Sequence, residues 1–266
     1  MDKIRICIAG CTGWIGRELV SAVVKSEDLT LVGAVSRRSS GKDIGQLLGL
    51  KTFSLIISGT VKDALRTQTD VLIDYTSPDV IKSNVLTAID MGVHTVIGTS
   101  GLTDDDYAEI NKAAKKKGVG VFAAGNFAIS AALMLHFATI AAKFMPGWEI
   151  VDYASSTKID SPSGTAYEIA NRLSGIGKPE NTVPDSKING PPESRGFNVN
   201  GTHVHSVRLP GYVIGSDVIF GGKDERLILR FEAGTLPDSY IEGTLLAARK
   251  VKEMRGLTRG LDKLIL

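Results

Sequence analysis

The chain has 266 residues, 43% of them hydrophobic and 23% charged, with a formal net charge of +2. That length allows one large domain or two small ones, and the near-neutral balance gives no field that argues for nucleic acid or a membrane surface as partner. No apolar run reaches the length of a membrane span and the N-terminus lacks a signal-peptide pattern, so the expectation is a soluble cytoplasmic protein. Cys7 and Cys11 read as small buried hydrophobes rather than a disulfide or metal pair. The four histidines (His94, His136, His203, His205) do not cluster with cysteines or carboxylates at ligand spacing, which speaks against a metal site.

In chain order, the apolar run Ile4, Ile6, Ile8, Ala9 predicts a buried strand. The turn Gly10-Cys11-Thr12-Gly13-Trp14-Ile15-Gly16 follows, and Ile15, Leu19, Ala22 and Val23 then recur at helical spacing. Strand, glycine turn and helix together are the context of a dinucleotide fingerprint. The spacing is G-x-x-G-x-x-G, one residue off the commoner G-x-G-x-x-G. Small residues let the backbone approach a pyrophosphate, whose charge rests on the free N–H groups of the helix N-terminus. Glycines also serve plain strand-to-helix turns; their place at the first strand of an alternating chain favours a nucleotide. Leu29–Val35 reads as the second strand and ends in Ser36-Arg37-Arg38-Ser39-Ser40. A carboxylate usually waits here for the ribose hydroxyls of NAD. Two arginines in its place favour the 2′-phosphate of NADP over NAD, unless they are only a solvated basic turn.

Val71–Asp74 is a third apolar run, and Thr76-Ser77-Pro78-Asp79 is expected to open a helix with proline in its first turn. Ile81, Val85, Ala88 and Ile89 form its apolar face and Gly92 stops it. A strand over 93–97 runs into the small-residue turn Gly98-Thr99-Ser100-Gly101, at the strand end where open α/β sheets bind ligands. Thr103 starts a helix with Asp104, Asp105 and Asp106 first and Lys115, Lys116 and Lys117 last, the order that the helix dipole favours. A strand over 119–123 completes an alternation that predicts an α/β fold with a Rossmann-type, doubly wound parallel sheet. Beyond Gly125 the character changes. Residues 128–144 are apolar nearly all round, as in a helix buried between layers. A strand over 149–153 precedes Ser161-Pro162-Ser163-Gly164-Thr165-Ala166, where Ser163, Gly164 and Thr165 at a helix start offer donors for a carboxylate, or a plain N-cap. The segment 174–200 shows no period. Strand-like runs over 203–209, 212–220 and 226–232 argue a smaller α+β domain on a mixed or antiparallel sheet, and 238–254 reads as a final helix.

At this point the sequence resembles the dihydrodipicolinate reductases, the 4-hydroxy-tetrahydrodipicolinate reductases of lysine biosynthesis, nearly end to end. Ile73-Asp74-Tyr75-Thr76 resembles the family's I-D-F-T, Gly98-Thr99-Ser100-Gly101 its G-T-T-G, and Asn126-Phe127 its A-x-N-F-S corner. Most specific is the stretch from Lys158 to Ala166, which resembles K-x-D-x-P-S-G-T-A. His205-Ser206-Val207-Arg208-Leu209-Pro210-Gly211 and Gly256-Leu257-Thr258-Arg259-Gly260-Leu261-Asp262 resemble late family segments.

The resemblance implies a dinucleotide-binding domain over 1–125, a substrate-binding and oligomerisation domain over 126–235, and a C-terminal helix over 236–266 that returns to the first domain. It also implies a homotetramer that passes hydride from NADPH or NADH to a cyclic dicarboxylate carrying an imine-type bond. Gly10, Thr12, Gly13, Trp14, Ile15 and Gly16 would hold the pyrophosphate, and Arg37 or Arg38 the 2′-phosphate. Thr76, Gly98, Thr99, Ala124, Asn126 and Phe127 would border the nicotinamide. Lys158, Ser163, Gly164 and Thr165 would meet the substrate.

One departure stands out. The family reads E-x-H-H-x-x-K before this motif, with the first histidine the family's presumed general acid. Here the span is Asp152-Tyr153-Ala154-Ser155-Ser156-Thr157-Lys158, so the two histidines fall on Ala154 and Ser155. The later segment Ile214-Gly215-Ser216-Asp217 also lacks the histidine usual there. Alanine cannot do acid–base work. The proton would then come from Lys158, from Tyr153 or from water, or Lys158 serves only as a charge. The substrate is either still 4-hydroxy-tetrahydrodipicolinate or another carboxylate with a C=N or activated C=C bond. A noncatalytic NADP-binding sensor or structural subunit is the alternative, since fold alone does not establish function.

Overall fold

The computed structural model describes residues 2–51, 53–180, 183–212, 214–234 and 236–265. The chain divides into two compact units, Met1–Phe127 with Pro237–Leu266, and Ala128–Leu236. The first unit begins β1 (Ile4–Ala9), α1 (Trp14–Lys25), β2 (Leu29–Val35), α2 (Ile44–Leu48), α3 (Val61–Ala64), β3 (Val71–Asp74), α4 (Ile81–Asp90), β4 (His94–Ile97), α5 (Asp104–Lys117) and β5 (Gly120–Ala123). The second unit holds α6 (Ile129–Ala141), β6 (Gly147–Ala154), α7 (Gly164–Ser174), β7 (Phe197–Val199), β8 (Thr202–Arg208), β9 (Ile214–Gly222) and β10 (Glu225–Ala233). The chain then completes the first unit with α8 (Asp238–Lys250), β11 (Gly256–Arg259) and α9 (Asp262–Ile265).

The strands of the first unit form a parallel sheet in the order β11-β5-β4-β3-β1-β2. Helices cover such a sheet, so its strands are continuous apolar runs: every residue of β3 and of β5 is buried. Leu19, Val20 and Val23 of α1 are fully buried as well, each contributing about 1.5–3 kcal/mol of transfer free energy. Strand order reverses where β1 lies between β2 and β3, and the crevice outside the strand ends at such a point is where these folds take ligands. Thr103 and Asp106 form a reciprocal capping box at the start of α5, and Gly118 closes the helix in the left-handed conformation (φ 77°).

The second unit is a mixed sheet in the order β10-β9-β6-β8-β7, with β6 and β8 parallel and the other neighbours antiparallel. Burial alternates strictly along β6, as it must where one face of a pleated strand meets a core and the other does not. The core face joins Trp148, Ile150, Val204, Val218 and Phe220 to α6 and α7.

Several expected elements differ in detail. The helix expected from Thr76 starts at Ile81, because residues 76–80 are spent on a turn in which Ile81 N–H donates to the Ser77 carbonyl. The run 128–144 is not buried all round: α6 packs Ala131, Met134, Leu135 and Ala138 inward but leaves Phe137 and Ile140 exposed, and Phe144, beyond its end, is exposed too. The segment 174–200, whose residues 181–182 lie outside the described residues, contains two 3-10 turns (Asp185–Lys187 and Pro192–Arg195) and β7. Residue 213 of the expected strand 212–220 also lies outside them. The final helix ends at Lys250, and β11 follows as a parallel neighbour of β5.

Candidate active site

The turn after β1 is built so that only glycine fits two of its positions. Gly10 has φ +81°, and a Cβ there would lie 2.1 Å from the Tyr75 carbonyl oxygen. A Cβ on Gly16 would lie 2.0 Å from the Gly10 carbonyl oxygen, so Gly16 is what lets α1 sit against the turn. Gly13 differs. It caps α1 with no side-chain hydrogen bond, and its Cβ would meet only the Gly10 oxygen, at 3.2 Å. The first N–H groups of α1 have no partner within the helix, and the positive end of its dipole points the same way. In front of them lies a cavity of about 370 Å³ lined by Gly10, Thr12, Gly13, Ser36, Arg37, Arg38 and Thr60, and by Thr76, Ser77 and Asn84 from the β3–α4 side. Thr12 and Ser36 share a hydroxyl–hydroxyl bond of 2.9 Å, tying the glycine turn to the end of β2. Arg37 reaches Asp79 at 3.5 Å, with both side chains mostly exposed. Glycines cut for close backbone approach, an uncapped helix N-terminus and two arginines at the rim fit a dinucleotide phosphate.

Asp74, the last residue of β3, is fully buried beside this cavity. Its carboxylate accepts from the Thr76 N–H (2.9 Å), the Thr76 hydroxyl (2.6 Å), the Thr99 hydroxyl (3.1 Å) and the Asn84 amide (2.8 Å). Burial pushes the carboxyl above its ordinary value, and these hydrogen bonds oppose the shift. The Asp74 carbonyl accepts from the Gly98 N–H at 2.9 Å, so one residue holds the turns after β3 and β4. Under Gly98 lies the ring of Tyr75, too close for any Cβ there, and the Tyr75 hydroxyl pairs with Thr244 of α8 at 2.7 Å. Burial pushes the Tyr75 hydroxyl up.

In the second unit α7 starts at Gly164 with Ser163 as its N-cap. Ser163 is itself committed: its N–H and hydroxyl donate to Asp152 at 2.8 and 2.7 Å, and its oxygen accepts from the Ala166 N–H. That leaves the N–H groups of Gly164 and Thr165 as the ones without an intrahelical acceptor. Asp152, wholly buried, also takes the Arg208 guanidinium at 2.8 Å. Arg208 donates on to the Asp160 carbonyl at 2.8 Å, and the Asp160 carboxylate holds the Lys158 ammonium at 2.9 Å. Burial pushes the Asp160 carboxyl up, but Lys158 outweighs it and the net shift is downward. Lys158, Asp160, Arg208, Asp152 and Ser163 are thus one continuous set of contacts.

Of the residues singled out in the sequence, Gly10, Thr12, Gly13, Arg37, Arg38 and Thr76 line one cavity, and Gly98 and Thr99 join it through Asp74. Trp14 instead leans edge-on against Tyr240 of α8, with centroids 6.0 Å apart. Ile15 and Gly16 continue the first turn of α1. Phe127 is a core residue, packed with Phe122 and Tyr75; Ala124 and Asn126 lie between it and β5. Tyr153 is not brought together with Asp152 and Ser163. The pleat puts it on the other face of the sheet, where it donates to Asp217 at 3.1 Å and stacks on Tyr212. Burial and then the Asp217 charge push its hydroxyl up. Asp74, Asn84, Asp152 and Arg208 received no role in the sequence reading. The signal for both aspartates was there: a charge closing an otherwise apolar run in β3, and a charge at an inward position of β6.

A parallel sheet whose strand order reverses beside a glycine turn and an uncapped helix N-terminus has the build of a dinucleotide-binding domain, and the class it fits is that of the nicotinamide-dependent oxidoreductases. Residues 4–127 match the family described as dihydrodipicolinate reductase, N-terminus, and residues 130–265 match dihydrodipicolinate reductase, C-terminus. The 4-hydroxy-tetrahydrodipicolinate reductase of Desulfitobacterium hafniense is 39% identical over 270 residues, covering 100% of both chains. That of Moorella thermoacetica is 36% identical over 98% of both. The dipicolinate-bound dihydrodipicolinate reductase of Paenisporosarcina sp. TG-14 superposes with a TM-score of 0.81 at 30% identity, covering 98% of this chain and 99% of that one. The chain belongs to the dihydrodipicolinate reductase family. It is an NAD(P)H-dependent oxidoreductase that transfers hydride to a small carboxylate.

Proposed function

We propose that the protein reduces 4-hydroxy-tetrahydrodipicolinate, the substrate named for its relatives, and does so with NADPH in preference to NADH. The end-to-end match at 39% identity carries this reading, together with the retained stretch from Lys158 to Ala166. A bound nicotinamide supplies the hydride. The chain's own residues do the rest. The α1 N-terminus and the Gly13 backbone hold the pyrophosphate, Arg37 and Arg38 the 2′-phosphate, and Thr76, Gly98, Thr99, Ala124 and Asn126 edge the nicotinamide. The N–H groups of Gly164 and Thr165 take a substrate carboxylate, with Ser163 shaping the turn and Lys158 exchanging Asp160 for the substrate's charge.

The proton needs a source other than the family's histidine, since its place is taken by Ala154, whose methyl is fully buried. Lys158 is that source in this reading. Tyr153 is occupied by Asp217 on the far face of its sheet and holds its proton more tightly than a free tyrosine. Four copies assemble through the face of the second sheet that α6 and α7 leave uncovered, where Val151, Val207, Ile219 and Ile228 lie. The reduced, buried thiols of Cys7 and Cys11 accord with the cytoplasm.

The replacement of both histidines favours one second reading, a different cyclic imine or unsaturated carboxylate as substrate. NADPH oxidation with freshly generated 4-hydroxy-tetrahydrodipicolinate, run beside a panel of cyclic imine carboxylates, separates the two. Turnover of the first at a rate no panel member matches supports the proposal; turnover confined to a panel member replaces it.

A further inference from the structure

Asp74 does more than fill a space. It stands where β3 ends between Ala9 of β1 and Ile97 of β4, at the edge of the sheet that faces the cavity. A buried carboxylate with neutral donors is costly to hold, and an aliphatic residue would serve the packing as well. What a carboxylate does that no neutral side chain can do is accept at every position. Its Oδ1 takes the hydroxyl protons of both Thr76 and Thr99. With those protons turned inward, the oxygens of Thr76, which also takes the Asn84 amide at 3.5 Å, and of Thr99 have only lone pairs left to offer a ligand. The two turns that edge the nicotinamide in the proposed function are therefore set as acceptors. The Asn84 amide fixes Oδ2 at 2.8 Å and keeps the carboxylate from rotating.

We propose that Asp74 is a positioning residue for the nicotinamide: by holding the hydroxyls of Thr76 and Thr99 as acceptors, it directs them at the NH2 group of the nicotinamide carboxamide and so fixes the ring's orientation. This rests on the dinucleotide reading of the cavity and deepens it. The group recognised is an amide donor, and the recognition is indirect, since Asp74 itself is buried.

The test is calorimetric and needs no turnover. Three ligands are titrated: NADPH, its reduced 3-acetylpyridine analogue, which carries a methyl ketone in place of the amide, and 2′-phospho-ADP-ribose, which lacks the ring. The wild-type chain prefers NADPH to the acetyl analogue. Asp74→Asn has one acceptor oxygen where the carboxylate has two: keeping the Asn84 amide on it turns its NH2 toward Thr76 and Thr99, whose hydroxyl protons are then displaced outward, and the preference for NADPH over the analogue falls by about tenfold, the loss expected for one hydrogen bond. Affinity for 2′-phospho-ADP-ribose stays within about twofold, which a collapse of the turn would not allow. The exchange Asp74→Asn with Asn84→Asp restores complementary partners and recovers most of the preference. Thr99→Val leaves the carboxylate in place and lowers the same preference. The proposal is overturned if Asp74→Asn and Thr99→Val both keep the wild-type preference, if the loss is equal for 2′-phospho-ADP-ribose, or if the wild-type chain shows no preference for the amide. Wild-type binding with no turnover of any carboxylate would instead sink the proposed reaction and leave the role of Asp74 standing.

Discussion

The three glycines after β1 do different work, and the difference is measurable. Gly10→Ala puts a Cβ at φ +81° and 2.1 Å from the Tyr75 carbonyl oxygen. The left-handed conformation costs alanine about 1–2 kcal/mol, and forcing an atom against backbone adds about 1–3 kcal/mol. The variant should lose about 3 kcal/mol, which for a chain of this size corresponds to a fall in melting temperature of about 6–12 °C. Gly16→Ala meets the Gly10 oxygen at 2.0 Å and should behave alike. Gly13→Ala has an ordinary φ of −74° and one tight contact at 3.2 Å, so it keeps its fold. Its cost to stability is about 1 kcal/mol or less, the cost of alanine at an N-cap. Its methyl nevertheless stands at the mouth of α1, in the path of a pyrophosphate. Thermal melts with and without NADPH, beside calorimetric titration, resolve the two effects. Gly13→Ala should melt near the wild type without cofactor and gain little from NADPH. Full NADPH affinity in Gly13→Ala, or wild-type melting in Gly10→Ala, would refute the reasoning.

Three further outcomes follow from the same geometry. Lys158→Ala should lower kcat by about a hundredfold, the usual contribution of a positioned acid, with NADPH affinity unchanged by titration; Lys158→Arg, which keeps the charge but cannot release its proton, should retain KM and still lose kcat. Arg37→Ala should weaken NADPH by about tenfold, one charge-assisted hydrogen bond, and leave NADH alone; an unchanged ratio of the two dissociation constants removes the basis for preferring NADPH. Lys82, then the N–H and hydroxyl of Thr103, hold the Asp106 carboxyl down to about 2. A depressed carboxylate stabilises the fold above the ordinary carboxylate range and loses that contribution as pH falls toward its folded value. Wild type should therefore out-melt Asp106→Asn at pH 6, and the gap should close between about pH 4 and pH 2.

Much of the fold was legible because buried parallel strands are continuous apolar runs and the helices between them carry explicit stops. Leu29–Val35 and Val71–Asp74 could be read to the residue, as could the capping of α5 at Thr103 and Gly118. The start of α4 was not, because Thr76 and Asp79 have the composition of a helix start while Thr76 is drawn to Asp74 instead. The exposed stripe of α6 was hidden by its own composition, since apolar residues all round give no direction to burial. β11 is four residues long and takes its partner from β5, far back in the chain. At the site, motif spacing located the glycine turn and the start of α7. It could not show that Ser163 is consumed by Asp152, because strand and loop meet only in the folded unit. Nor could it show that Tyr153 and Asp152, adjacent in sequence, face opposite ways. That separation follows from the pleat once β6 is known to be a strand.

The central claim is that the protein reduces the family substrate with Ala154 and Ser155 at the positions where the resemblance places a histidine pair. It is tested most directly by incubating the chain with freshly generated 4-hydroxy-tetrahydrodipicolinate and NADPH deuterated at the transferable position, then weighing the product by mass spectrometry. The account predicts steady oxidation of the cofactor and, with the 4-hydroxyl lost as water, a tetrahydrodipicolinate that carries the deuterium. Undiminished, tightly bound NADPH and unchanged substrate after many hours would contradict it.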